Sequence, residues 1–373
     1  MGRALVTSSR RVVIKVGTRV LTENDNRLAY SVLESLVQQV SRIVDGRELI
    51  IVSSGAIALG LSRMGSVRRP RQIDQLQAAA AMGQSRLMHV YEAEFARSRI
   101  ETAQVLLTYE DIQNRRRYLN IRNTIFALWA HAVVPIVNEN DTVSFSEIRF
   151  GDNDILAAHL ANMIDADLLL ILTDMDGVYG QDPKVHRGAR VIEEVAAVSD
   201  DIMDVVYAKE SPHSSGGMSS KLRAAEIATR SGVGVVIANG RSLDLNELFS
   251  GSPLGTFFVP AEKKLRGRKK WIAFNPRTEG TIIIDRGGEQ AIVKNKKSLL
   301  PAGVMRVEGT FNLGSNVSIQ TEDRVEIARG LSNFASQEIE LIKGLNTRRI
   351  PEVLGMDSYF DEVVHRDNMV ILV

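Results

Sequence analysis

Two lysines far apart in the chain, Lys15 and Lys221, each stand in a setting suited to a phosphate. Lys15 comes at the end of the apolar run RVVIKVG and is followed by Gly17 and Thr18, whose backbone can approach a ligand closely. Lys221 stands in the first turn of a helical segment entered through SGGMSSK, that is Ser215, Gly216, Gly217, Met218, Ser219, Ser220 and Lys221. A helix N-terminus presents unpaired N–H groups and a partial positive charge, and glycines let an anion come near them. The stretch reads equally as an N-capped helix behind a flexible loop. A third cluster, GDNDILAAH, places Asp152, Asn153 and Asp154 ahead of an apolar helical segment. One cap residue would suffice there. A carboxylate in the cluster can instead hold two lysines by charge-assisted hydrogen bonds.

Two cations on either side of a transferring phosphoryl group suit phosphoryl transfer, which demands positioning and charge stabilisation. A carboxylate acceptor fits this set, because a glutamate side chain (pKa roughly 4.3) is ionised at neutral pH and needs no general base. The six histidines are scattered and never fall at ligand spacing such as HExxH. Walker A, dinucleotide-fingerprint, GxSxG and protein-kinase strings are absent.

The elements that must carry these residues alternate. From Arg11 to about Val259, short apolar runs (RVVIKVG, ELIIVSSG, AQVLL, VVPIVNEN, DLLLILTD, VGVVIANG) are separated by helical patterns. In SVLESLVQQVSRIV, residues Val32, Leu33, Leu36, Val37, Val40, Ile43 and Val44 fall at helical spacing, with Ser31 and Glu34 in capping-box relation. Continuous apolar strands alternating with helices predict an α/β fold, a mostly parallel sheet covered on both faces. Ligands of such sheets bind beyond the carboxyl ends of the strands. Small, polar or charged residues cluster there: Lys15, Ser53 and Ser54, Asn138 to Asp141, Thr173 and Asp174. Any one of them is an ordinary cap or turn; together they favour a site.

After Val259 the character changes. Six cations fall between Lys263 and Lys270, followed by glycine-punctuated β-rich runs such as GTIIIDRGGEQAIV and RVEIARGLSNF. The expected division is a domain over 1–259, a basic, solvated linker over 260–276 and a small all-β domain over 277–373.

Length and composition are those of a soluble two-domain protein: 373 residues, 44% hydrophobic, 24% charged, formal net charge +1. The absence of cysteine excludes disulfides and thiolate metal sites and fits a reducing compartment. MGRALVTSSRRVVIK contains no apolar run of signal-peptide length, and DLLLILTD is too short to span a bilayer, so the expected location is the cytoplasm.

The strings VIKVGTRVL, VSSGAIALG, PIVNENDTV, FGDND, LTDMDGVY and SGGMSSK, in this order, resemble the amino-acid kinase family, and LLPAGV, GTFNLGSNVSI and ARGLSNF resemble a PUA domain. The resemblance covers nearly the whole chain. It implies a three-layer αβα sandwich with an appended PUA barrel, and it points to the branch that phosphorylates the γ-carboxylate of L-glutamate with ATP, opening proline biosynthesis. By position it implies that Lys15 and Lys221 contact the ATP phosphates from two sides and that Asp154 organises them. It implies that Ser54, Asp141 and Asn153 bind glutamate, and that Thr173, Asp174 and Ser215 to Lys221 form the nucleotide site. It further implies Mg2+, feedback inhibition by proline and a homo-oligomer, dimer or tetramer. Ser215 and Ser220 stand where the family commonly has threonine, with the hydroxyl kept.

The residues bear on the substrate. Asp141 offers a counter-charge for a free α-ammonium, and Asn153 is expected to donate from its amide to the α-carboxylate. An N-acetylated substrate would lack that cation, which weighs against an N-acetylglutamate kinase without removing it. RNA binding through the PUA domain is a second alternative, with the basic run as its footprint. The residues after that run carry more acids than bases, which favours a solvated hinge.

Overall fold

The structure, a computed structural model, describes the chain apart from residues 1, 24, 67–69, 145–152, 182–185, 187, 199–216, 263–266, 276, 356–359 and 373, and the side chains of 267, 268 and 270. The chain divides into two compact units, Met1–Lys264 and Leu265–Val373.

The apolar runs of the first unit become strands β1 (Arg11–Val16), β2 (Glu48–Ser53), β3 (Thr102–Leu107), β4 (Val134–Glu139), β5 (Leu168–Thr173), β6 (Glu194–Val195), β7 (Gly234–Asn239) and β8 (Thr256–Phe258). They form one sheet in the order β3-β4-β2-β1-β5-β7-β8-β6. All its pairings are parallel except the antiparallel β7 with β8. β4 and β5 are buried along their whole length, as both-sided coverage requires.

The helices that matter for the site are α1 (Tyr30–Ile43), α2 (Ala56–Arg63), α3 (Ile73–Ala96), α4 (Asn153–Met163) and α5 (Met218–Arg230). Strand alternation sorts them to two faces. Val12, Ile14 and Val16 join a core with Leu33, Leu36, Val37 and Val40 of α1 and with Leu87, Tyr91 and Phe95 of α3. Lys15 has the opposite parity and pairs with the first turn of α4, which covers the other face. At α1, Ser31 is not the cap: the helix begins at Tyr30 behind Ala29, which makes no side-chain cap bond. Glu34 instead takes an ion pair from Arg97. The amphipathic face fixes α1, and the local capping pattern does not.

Glycine sets the approach of α2 to α3. A Cβ on Gly83 would lie 1.8 Å from the Ala56 carbonyl oxygen, and one on Gly60 would lie 1.8 Å from that of Ala79. Only glycine permits this crossing, which draws the start of α2 against α3.

The second unit holds β9 (Gly280–Ile284), β10 (Val304–Glu308), β11 (Asn316–Gln320), β12 (Glu326–Leu331) and β13 (Met369–Ile371), in the order β10-β9-β11-β12-β13. Ile282, Ile284, Val317, Ile319 and Phe334 belong to its separate core. Two sequence expectations change here. RGGEQAIVK is helical from Arg286 to Lys294, because Asp285 caps it at Gly288 N–H. The expected linker is also partly structured. Residues Gly267–Phe274 form helix α6, with Trp271, Ile272 and Ala273 buried. Asn316 Nδ2 donates to the Ile272 carbonyl oxygen (3.3 Å), and Arg329 Nη1 donates to those of Ala273 (3.3 Å) and Asn275 (2.9 Å). The apolar WIAF that follows the cations explains the change: burying it outweighs keeping the segment solvated.

Candidate active site

β1 delivers Lys15 with its side chain among buried groups, and α4 begins over the same strand end. Lys15 Nζ lies 2.5 Å from Asp154 Oδ1. Lys221, in the first turn of α5, donates from Nζ to Asp154 Oδ2 at 3.2 Å and to the Gly217 carbonyl oxygen at 3.3 Å. Ser220 Oγ stands 3.0 Å from both of those acceptors. Exposure is 3% for Lys15, 0% for Asp154 and 5% for Lys221.

Burying charges is costly unless they are paired, and Asp154 pairs with both lysines. Two ammonium groups held on one carboxylate can act together on a transferring phosphoryl group. Within SGGMSSK, Ser220 and Lys221 both reach Asp154 Oδ2 and the Gly217 carbonyl oxygen. Ser215, Gly216 and Asp152 lie outside the described residues. Met218 and Ser219 are half-buried at the start of α5.

Asn153, one residue before Asp154, belongs to a second polar group. Its Nδ2 lies 2.8 Å from Asn138 Oδ1, 3.0 Å from Ser54 Oγ and 3.3 Å from the Ser53 carbonyl oxygen. The amino group expected for a substrate carboxylate is therefore already engaged. Its Oδ1 is buried with no hydrogen-bond partner among the described residues. Ser54 Oγ accepts from Asn153 and so keeps its own proton to donate. Asp141 is half-buried in the turn after β4, a turn tied to β3 by Asn140 N–H donating to the Leu107 carbonyl oxygen (2.8 Å).

Thr173 and Asp174 sit at the end of β5, where Thr173 Oγ1 donates to Asp174 Oδ1 at 3.1 Å and Arg19 pairs with Asp174 Oδ2 at 3.2 Å. Burial pushes the Asp174 carboxyl up, but Arg19, Thr173 and its own backbone N–H outweigh it and hold it below the ordinary range. Since β5 pairs with β1 (Val16 opposite Leu172), Thr173 stands at the same sheet edge as Lys15.

Residues not singled out in the sequence also join the polar groups. Gln84 and Tyr91 of α3 reach across to β4 and β2: Gln84 Oε1 accepts from Asn138 Nδ2 at 2.8 Å, and the Tyr91 hydroxyl is 3.0 Å from Ser53 Oγ. Burial pushes the Tyr91 phenol up, so it stays protonated. The only trace in sequence is the small-residue run AAAAMG before Gln84, a sign of close helix packing.

Among the described residues no group of three or more His, Cys, Asp and Glu is placed to hold a metal ion, and no helix is long and apolar enough to cross a membrane.

Residues 10–239 match the amino acid kinase family and residues 280–354 the PUA domain. A glutamate 5-kinase of Thermoanaerobacter sp. (strain X514) is 45% identical over 364 residues, 97% of this chain and 98% of that protein. One from Myxococcus xanthus (strain DK1622) is 44% identical over 372 residues, 100% of this chain and 98% of that protein. In fold, the chain is similar to a solved carbamate kinase from Giardia lamblia bound to AMP-PNP, with a TM-score of 0.50 at 16% identity, covering 68% of this chain and 100% of that one. Both the sheet order and these full-length similarities lead to one assignment: the chain belongs to the amino acid kinase family and groups there with the glutamate 5-kinases.

Proposed function

We infer that this protein phosphorylates the γ-carboxylate of L-glutamate with ATP, giving L-glutamyl 5-phosphate, the first step of proline biosynthesis. The observation that carries the chemistry is the buried cluster in which Lys15 and Lys221, from distant parts of the chain, both pair with Asp154. A γ-carboxylate oxygen of glutamate attacks the γ-phosphorus of ATP, the bond from that phosphorus to the bridging oxygen breaks, and ADP departs with the electron pair. Lys15 and Lys221 offset the charge that builds on the transferring and leaving oxygens, and Asp154 holds both ammonium groups in place. Thr173, Asp174 and the segment Ser215 to Lys221, with Gly216, Gly217, Met218, Ser219 and Ser220, contact the nucleotide. Ser54, Asn153 and Asp141 hold glutamate.

ATP enters as its magnesium complex. Mg2+ bound to a nucleotide is held largely by phosphates and water. A site without a three-carboxylate cage among the described residues suits that arrangement. We also assign a cytoplasmic location, feedback inhibition by proline, a homo-oligomer, and a domain division at 259 and 277 with α6 inside the intervening segment. Neither an N-acetylglutamate substrate nor RNA is favoured: the relatives quoted above are glutamate 5-kinases, and the basic run that suggested RNA leads into the buried Trp271, Ile272 and Ala273.

ADP release by the full-length protein, supplied with MgATP and in turn with glutamate, aspartate, glutarate and N-acetylglutamate, tests the reading. Turnover with glutamate alone is expected. Equal turnover of N-acetylglutamate would move the protein to the acetylglutamate kinases.

A further inference from the structure

The amide groups of Gln84, Asn138 and Asn153 form a chain whose direction two backbone groups dictate. Glu139 N–H can only donate, and it lies 2.8 Å from Asn138, so the atom facing it is Oδ1. The Ser53 carbonyl oxygen can only accept, so the Asn153 atom near it is Nδ2. With both orientations set, Asn138 Nδ2 points at Gln84, which must present its oxygen. Each end of the chain then carries an unfilled group: Gln84 Nε2 and Asn153 Oδ1 are buried with no hydrogen-bond partner among the described residues. Turning Gln84 over would supply neither end, because two amino groups would then face each other.

A buried acceptor without a donor is costly, and structures keep such groups where a ligand completes them. Asn153 Oδ1 lies one residue before the phosphoryl cluster and beside Ser54. A positively charged donor suits it better than a carboxylate, which would meet oxygen with oxygen.

We propose that Gln84 is a positioning residue: by holding Asn138 it fixes Asn153 with its amino group engaged by the protein and its carbonyl oxygen left for the α-ammonium group of the substrate. This rests on glutamate being the substrate. The expected pairing is therefore the reverse of an Asn153 amide donating to the α-carboxylate. The carboxylate falls instead to donors such as Ser54, whose proton Asn153 leaves uncommitted. Gln84 sits on α3 directly after Gly83, the residue that lets α3 approach the start of α2, so helix packing and substrate recognition are joined at this point.

Two variants of the full-length enzyme test the role. Gln84→Met keeps the side-chain length, removes the acceptor for Asn138, and also removes the unpartnered donor, so the fold is expected to hold. Losing one buried hydrogen bond of this kind corresponds to about tenfold. The glutamate half-saturation of Gln84→Met should rise by about that factor, the ATP half-saturation should stay within about twofold, and the preference for glutamate over N-acetylglutamate should shrink. Gln84→Glu retains an acceptor and should recover most of the glutamate affinity. An unchanged glutamate half-saturation in Gln84→Met overturns the proposal, as does a Gln84→Glu protein that behaves like Gln84→Met. Parallel changes for both substrates together with a lower melting temperature overturn it in favour of a purely structural role. A wild-type protein inactive on glutamate would instead overturn the function on which the proposal stands.

Discussion

Asn153 and Asp154 are adjacent at the start of α4, yet the fold surrounds them in opposite ways. Asp154 is enclosed by cations and a hydroxyl, which satisfy it from within the protein. Asn153 is enclosed by one neutral amide, a hydroxyl and a carbonyl, which engage its amino group and leave its oxygen open. One group is prepared by charge, the other by geometry. The division follows from the sheet order: β1 lies between β5 and β2, so a helix starting over β1 can turn one side chain toward Lys15 and the next toward β2 and β4. A transferring phosphoryl group needs field strength, whereas an amino acid needs its donors and acceptors matched.

The largest expected break in this contrast lies on the charged side. Lys221→Ala should lower turnover by about 10²–10³, as for removal of one preorganised donor, with little change in ATP half-saturation. Near-normal turnover would detach the start of α5 from the chemistry. Next comes the substrate side. Asp141→Asn keeps shape but removes charge, so the glutamate half-saturation should rise by about one to two powers of ten while that for ATP barely moves. Steady-state kinetics in both substrates separates these outcomes.

A smaller effect should act on both groups at once, because they share α4. Burial pushes the His159 imidazole on that helix down to about 4, from an ordinary value near 6.5. The folded state therefore refuses a proton that the unfolded chain accepts. Its stabilising effect is complete above about pH 6.5 and is lost as pH falls toward 4, amounting to about 3 kcal/mol. Urea unfolding at pH 7 and pH 4.5 should show a larger loss for wild type than for His159→Gln. Equal losses would mean that His159 is protonated in the folded protein.

The contrast also marks how far the residues alone could be read. Strands announce themselves as apolar runs, and a lysine closing such a run or entering a helix behind glycines stands out, so Lys15 and Lys221 were legible from type and position, as was a carboxylate to hold them; that it is Asp154 came from the resemblance. Their common meeting point followed from the rule that sites form at the carboxyl edge of a parallel sheet. Ser54, Asn153, Asp141 and the residues around Thr173 came from resemblance more than from their own chemistry. The direction of the Asn153 amide was not legible, because it depends on Glu139 N–H, the Ser53 carbonyl oxygen and Gln84, which only the fold brings together. Gln84 itself looks like any polar residue on a helix. Ser31 and Glu34 carried a local capping signal that packing overrode, and the cations before WIAF concealed a helix whose apolar residues are buried.

The division of labour between neighbours is tested most directly by Asn153→Ala and Asp154→Asn, compared in turnover and in half-saturation for glutamate and for ATP. The account predicts that Asn153→Ala raises the glutamate half-saturation by about tenfold or more with turnover largely kept. It predicts that Asp154→Asn lowers turnover by about two powers of ten with apparent glutamate binding within a few-fold. If Asp154→Asn raises the glutamate half-saturation and leaves turnover intact, Asp154 belongs to the substrate group and the separation of charge from geometry is wrong.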